Sequence, residues 1–231
     1  MGKIEIFDFK KKTLRQINQY LQNIDYKKNL REYVIKNPNG NHALCAGLKE
    51  NIKVSIKGHV GYYCGGMNKN ANIIIEGNAG TGLGENMMSG TIHVKGNVSQ
   101  SAGASAHGGN IIVDGNASSR CGISLKGADL IVRGSIGHMS AFMAQSGTLL
   151  VCGNAGEALG DSIYETIIYL AGKPKSLGID CEEKKITNKD LKKIEELLII
   201  GNIKNIKPNK FKKYGSAKKL YNFKIDNISD Y

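Results

Sequence analysis

Ile92-His93-Val94-Lys95-Gly96-Asn97-Val98-Ser99 is followed, 19 residues later, by Ile111-Ile112-Val113-Asp114-Gly115-Asn116-Ala117-Ser118. The shared phrase is apolar-x-apolar-x-Gly, and it recurs along most of the chain. Its closing glycines are Gly58, Gly77, Gly96, Gly115, Gly134, Gly153 and Gly172, each 19 residues after the last. A fixed period of this size is the signature of stacked coils. The apolar alternation marks a short strand with one face inward. Further glycines keep fixed offsets: Gly61, Gly80, Gly137 and Gly156 stand three residues after the closing glycine, and Gly65, Gly84, Gly103, Gly122 and Gly160 seven after it. Glycine at such corners supplies positive φ or close backbone approach.

The spacing predicts an all-β protein: a single-stranded parallel β-helix of about seven 19-residue coils over 51–178, with strands stacked at about 4.8 Å. A leucine-rich repeat lacks its Leu pattern here, and the apolar spacing of six that marks a hexapeptide-type left-handed helix is absent. The spacing leaves handedness open. A lone glycine-rich loop could cradle a phosphate between a strand and a helix. This loop recurs with no helical segment between copies, which favours a structural role.

Two short helices are expected in the flanks. Thr13-x-x-Gln16 is a capping-box pattern, followed by Leu14, Ile17, Leu21 and Ile24 on one face. Thr187-x-x-Asp190 repeats the device before Leu191, Ile194, Leu197 and Leu198, with Gly201 as a stop. Open coil ends expose unpaired strand edges, so one or both helices serve as end caps, or else pack on the side of the coil or on another subunit. The tail, 202–231, is Lys-rich with scattered Ile, Tyr and Phe, a composition suited to ordering on a partner. The chain therefore divides into a helix and lead-in (1–50), the glycine-rich coil (51–183), and a helix with a basic tail (184–231).

The net charge of +12 is unevenly placed: residues 37–172 carry 8 basic and 8 acidic side chains, and the excess lies in the flanks. A nucleic-acid binder would carry it on the folded body with aromatics interleaved, so nucleic acid is not expected as a partner. No stretch reaches the length of a membrane span, and MGKIEIFDFKKK has no apolar segment behind its charges. Five cysteines without a C-x-x-C suggest reduced thiols in a cytoplasmic protein, with no zinc or iron–sulfur ligand set. His59, His93, His107 and His138 take different offsets and form no ligand column. No carboxylate cluster suits acid–base work. No catalytic, metal or cofactor-binding residue is expected in this chain.

Three stretches depart from this blandness: Tyr62-Tyr63-Cys64-Gly65-Gly66-Met67, Glu85-Asn86-Met87-Met88-Ser89-Gly90, and Gly137-His138-Met139-Ser140-Ala141-Phe142-Met143. Methionine is adaptable at binding surfaces. Met67, Met87, Met88, Arg120, His138, Met139 and Met143 are the candidate partner interface. The competing reading makes them fillers of coil corners.

At these residues the sequence resembles the glycine-rich third domain of the glutamate synthase alpha subunit, a right-handed β-helix, over about 31–183. Asn37-Pro38-Asn39-Gly40-Asn41-His42 is similar to the family's lead-in. Ser118-Ser119-Arg120-Cys121-Gly122 and Ala158-Leu159-Gly160-Asp161-Ser162-Ile163-Tyr164 are similar to its free-standing version. That version is a separate subunit of glutamate synthase-like and N-methylglutamate synthase-like complexes. The tail after about residue 201 lies outside the resemblance. The resemblance implies a noncatalytic structural subunit in glutamate or nitrogen metabolism. Its partners would be a glutamine amidotransferase subunit with an N-terminal Cys nucleophile and a flavin-dependent synthase subunit that carries flavin and an iron–sulfur cluster. This chain opens Met1-Gly2-Lys3, so removal of Met1 would expose no such Cys. A similar repeat stands in one of the subunits of formylmethanofuran dehydrogenase-type complexes, and membership of such a complex is the alternative.

Overall fold

A computed structural model describes residues 4–25 and 32–218 of the 231-residue chain. Among the described residues, eleven strands form one sheet: β1 (Glu5–Asp8), β2 (Glu32–Lys36), β3 (Lys53–Lys57), β4 (Asn72–Ile75), β5 (Thr91–Val94), β6 (Asn110–Val113), β7 (Lys126–Val132), β8 (Ser146–Val151), β9 (Ile167–Leu170), β10 (Cys181–Lys184) and β11 (Lys212–Ser216). Two α-helices among the described residues, α1 (Leu14–Gln22) and α2 (Asn188–Ile200), flank it. The sheet order is β1 to β9 in sequence, then β11, then β10. Pairing is parallel through β9, as a coil stack requires, and turns antiparallel where β11 inserts between β9 and β10.

The period sets the register. Ile73 stands beside Ile92, Ile92 beside Ile111, Ile111 beside Leu130, and Leu130 beside Leu149. These residues and their i+2 partners face inward and are fully buried, each contributing about 1.5–3 kcal/mol of hydrophobic stabilisation. Past the strand, every coil makes a bridge two residues after the closing glycine, from Val60 to Ala79, Val98, Ala117, Ile136, Ala155 and Pro174, and the last adds a second between Leu159 and Leu177. The structure is thus a β-solenoid built around one elongated core.

The glycine positions do two different jobs. The repeating closing glycines after Gly58 are needed for close approach: a Cβ on Gly96 would lie 2.8 Å from the carbonyl oxygen of Gly77, and one on Gly115 2.8 Å from that of Gly96. Positive φ belongs instead to Gly90, Gly109 and Gly147, thirteen residues later, and to the corner five, seven and nine residues later. In one coil these are Ser101 (φ 59°), Gly103 (φ 67°) and Ser105 (φ 52°), and in another Met139, Ala141 and Met143. Their alternation turns successive N–H groups to opposite neighbours. Tyr63 N donates to Thr81 O of the next coil at 2.8 Å, and Gly65 N to Leu44 O of the previous coil at 2.9 Å. The corner therefore satisfies its backbone between coils despite having no regular strand.

Helix α1 caps the first coil. Its Thr13–Gln16 capping box forms, and Ile17 and Leu21 are buried on the core. Asn18 takes the place of a missing coil: its Nδ2 donates to Ala43 O at 2.7 Å and its Oδ1 accepts from Cys45 N at 2.9 Å. Helix α2 lies on the side of the coil. Ile194, Leu197 and Leu198 cover Ile112, Ile131, Leu150 and Tyr169, which point outward from β6 to β9. Its capping box also forms, with Asp190 doubling as a tether: Asp190 accepts from Tyr169 OH at 2.7 Å and pairs with Lys213 of β11 at 2.9 Å. Gly201 ends the helix in a right-handed conformation (φ −72°), and the left-handed residue is Asn202 (φ 49°). The expectation that the tail orders only on a partner is corrected for 202–218. Phe211 and Tyr214 are buried, and β11 is hydrogen-bonded into the sheet. Residues 219–231 lie outside the described residues.

Candidate functional site

The positive-φ corner also determines which side chains face out. Residues four, five, nine and eleven after the closing glycine bear outward columns along one side of the solenoid, whereas those six and ten after it point inward. Tyr62, Tyr63 and Met67 stand on one coil, Met88 on the next, and His138, Met139 and Met143 three coils further on. Met67 (59% exposed), Met88 (48%) and Met143 (41%) are solvent-facing, as are Tyr62, Tyr63 and Tyr164. Arg120 and His138 are exposed on the same side, and Met139 is half-buried. Met87 is corrected as a surface candidate: ten residues after Gly77, it falls in the inward column with Ala106, Leu125 and Ala144 and is fully buried.

Between the bulky ends of this face lies a shallow groove of about 270 Å³. Small residues make its floor: Gly82, Ser101, Ala104 and Ser105, with Tyr63 and Glu85 among its walls. A surface of this kind, with adaptable thioethers and amphipathic tyrosines around small polar residues, suits contact with another protein.

Two columns beside the closing glycines were not recognised in the sequence. Immediately after the glycine, side chains accept from the next coil's backbone: Asn78 Oδ1 from Asn97 N, Asn97 Oδ1 from Asn116 N, Asn116 Oδ1 from Ser135 N, each at 2.8 Å. His59 Nδ1 heads this ladder, accepting from Asn78 N at 2.9 Å. Immediately before the glycine, charge alternates: Lys57 pairs with Glu76, and Lys95 and Arg133 lie 3.4 and 3.2 Å from Asp114. Asp114 also meets His93 Nε2 at 2.8 Å, and Arg133 Nη2 donates to Gly201 O at 2.6 Å, closing the end of α2. Arg133 Nε is misaligned for a hydrogen bond to Asp114, leaving Coulomb attraction between them. Both signals were present as i, i+19 identities and alternations.

The thiols are buried or half-buried. Burial pushes Cys64 and Cys121 up to about 12, Cys45 well above its ordinary value, and Cys152 up to about 11, so none is a thiolate near neutral pH. Among the described residues no group of three or more His, Cys, Asp or Glu is placed to hold a metal ion. No described helix is long and apolar enough to cross a membrane.

The sequence model of the GXGXG motif family matches residues 35–225. The chain belongs to the GXGXG motif family. This is the glycine-rich repeat family that the sequence resembles, and the match runs past residue 201, where the resemblance was expected to stop. Protein GlxC of Rhizobium meliloti (strain 1021) is 49% identical to this chain over 226 residues, covering 98% of this chain and 99% of that protein. No solved structure is matched.

Proposed function

We propose that this chain is a noncatalytic structural subunit of a glutamate synthase-like complex, holding a glutamine amidotransferase subunit and a flavin-dependent synthase subunit in fixed relation. The observation that carries the reading is the outward corner face, where Met67, Met88, Met143, Tyr62, Tyr63 and Tyr164 are exposed on a solenoid whose backbone is tied coil to coil. End-to-end similarity to GlxC and membership of the GXGXG motif family support it, since the repeat resembles the third domain of the glutamate synthase alpha subunit. In this reading the flavin and the iron–sulfur cluster reside in the synthase partner, this chain holds no cofactor, and the complex works in the cytoplasm.

Co-purification from the native host tests the proposal. The expected result is a stoichiometric amidotransferase and a flavin- and iron-containing synthase. Recovery with a molybdopterin or tungsten enzyme would assign the chain to the formylmethanofuran dehydrogenase type instead.

A further inference from the structure

The outward corner face is a saddle. Its ridges are Tyr63 and Met67 on one coil and Met139 and Met143 four coils further on. At about 4.8 Å per coil, the two ridges stand about 19 Å apart. Between them the Tyr63 column continues as Gly82 and Ser101, and the Met67 column as Asn86 and Ser105, with Ala104 beside them in the groove. The side chains of the ridges narrow this gap toward the width of one α-helix, about 10–12 Å.

The floor suits a helix and not a strand. Gly82 donates its backbone N–H to Gln100 O at 3.0 Å, Glu85 to Gly82 O at 3.1 Å, Ser101 to Ser119 O at 3.0 Å, Ala104 to Ser101 O at 3.3 Å and Ser105 to Ile123 O at 3.0 Å. With these donors spent, an extended segment laid on the floor would leave its own carbonyls unpaired. A helix arrives with its backbone already paired internally, and it docks in a groove through side chains alone.

The two walls carry opposite charges. On one side the Tyr63 ring and the Glu85 carboxylate overhang Gly82, where a Cβ would lie 2.5 Å from Tyr63 Cδ1 and 3.1 Å from Glu85 Oε2. On the other side Arg120 follows Ser101 in its column and is exposed. Among the described residues neither the Glu85 nor the Arg120 side chain has an ion pair or a hydrogen bond. A helix with a basic residue on the Glu85 flank and an acidic one on the Arg120 flank pairs with both walls, and reversing its direction would set like charge against like.

We propose, resting on the scaffold reading, that one partner subunit docks by an α-helix laid across this saddle, transverse to the solenoid axis, with oppositely charged flanks.

Filling the saddle tests this. Ser101 and Ser105 have φ of 59° and 52°, and Tyr63 and Met67 stand in the same two columns at 58° and 55°, so Ser101→Tyr/Ser105→Met suits the backbone. The tagged full chain, wild type or filled, is expressed in the native host, with the unfolding midpoint as the folding control. Wild type should recover the amidotransferase and synthase subunits, and the filled variant at least about tenfold less of one of them. A benzophenone amino acid placed at Ser101, Ser105 or His107, which follow one another across one coil, should attach to residues of that partner three, four or seven apart. Full recovery of both partners by the filled variant overturns the saddle and leaves the scaffold reading standing, whereas a wild type that recovers neither overturns both. Attachment at a spacing of two identifies an extended segment and overturns the helix. Should the filled variant unfold, Glu85→Lys/Arg120→Glu should give the same loss, and full recovery by that variant overturns the proposal.

Discussion

Asn97 gives its backbone N–H to the side-chain oxygen of Asn78, 2.8 Å away and one coil earlier, and its own side chain then accepts from Asn116 at the same distance. The ladder runs directly beside the closing glycines, and this proximity explains why they cannot carry side chains. A Cβ on Gly115 would meet Gly96 O at 2.8 Å and Asn97 Oδ1 closer still. Gly115→Val should therefore cost about 3 kcal/mol or more, whereas Asn97→Ala, which removes one exposed hydrogen bond, should cost about 1 kcal/mol. Denaturant unfolding of the two variants compares them directly.

Met87 and Met88 are sequence neighbours with opposite fates, the first fully buried and the second 48% exposed. Met87→Asp should place a carboxylate among core residues and cost about 4 kcal/mol. Met88→Asp should leave the stability read from thermal unfolding within about 0.5 kcal/mol of wild type.

Asp190 supplies the pH dependence that α2 should show. Burial raises its pKa, but hydrogen bonds from Thr187, Lys213 and Tyr169 outweigh that and hold it well below the ordinary value of 3.8. The folded state thus favours the ionised form. Its contribution is fully present above pH 3.8 and is lost as pH falls from there toward the folded value. Asp190→Asn should lower stability at neutral pH by about 1–3 kcal/mol and flatten the acid limb of a stability-against-pH curve. An unchanged acid limb would show that other carboxylates dominate it.

The coil, its strands and both capping boxes were legible because each depends on residues at short, fixed spacing: the inward pairs such as Ile92 and Val94, the glycine beyond them, and Thr13 with Gln16 or Thr187 with Asp190. The corner was only half legible. Glycine marks the seventh position, but left-handed Tyr63, Met67, Arg120 and Met139 carry no composition signal, so Met87 and Met88 could not be told apart without the column that each joins. β11 was hidden because its partners, Ile168 and Leu170 of β9 on one side and Cys181 of β10 on the other, are remote in sequence. The placement of α2 on the side of the coil was hidden for a related reason. The outward apolar run Ile112, Ile131, Leu150 and Tyr169 that it covers is interleaved with the inward pairs and reads as uniform strand hydrophobicity.

Arg133 links those two levels, reaching from the charge ladder to the last carbonyls of α2. Arg133→Ala should loosen the helix end and leave Asp114 with its remaining partners His93 and Lys95, at a cost of about 1–2 kcal/mol. Hydrogen exchange should show faster opening confined to α2 and the following turn, with the coil strands unchanged.

Assembly measured on a folded surface variant tests the scaffold account most directly. A tagged chain carrying Met88→Asp and Met143→Asp, both on the outward corner face, is expressed beside the tagged wild type in the native host, and the recovered amidotransferase and synthase subunits are quantified. The account predicts that the variant keeps its unfolding midpoint yet recovers at least about tenfold less of one partner, the effect of roughly 1.4 kcal/mol lost at a contact. Full recovery of both partners by the folded variant would contradict it.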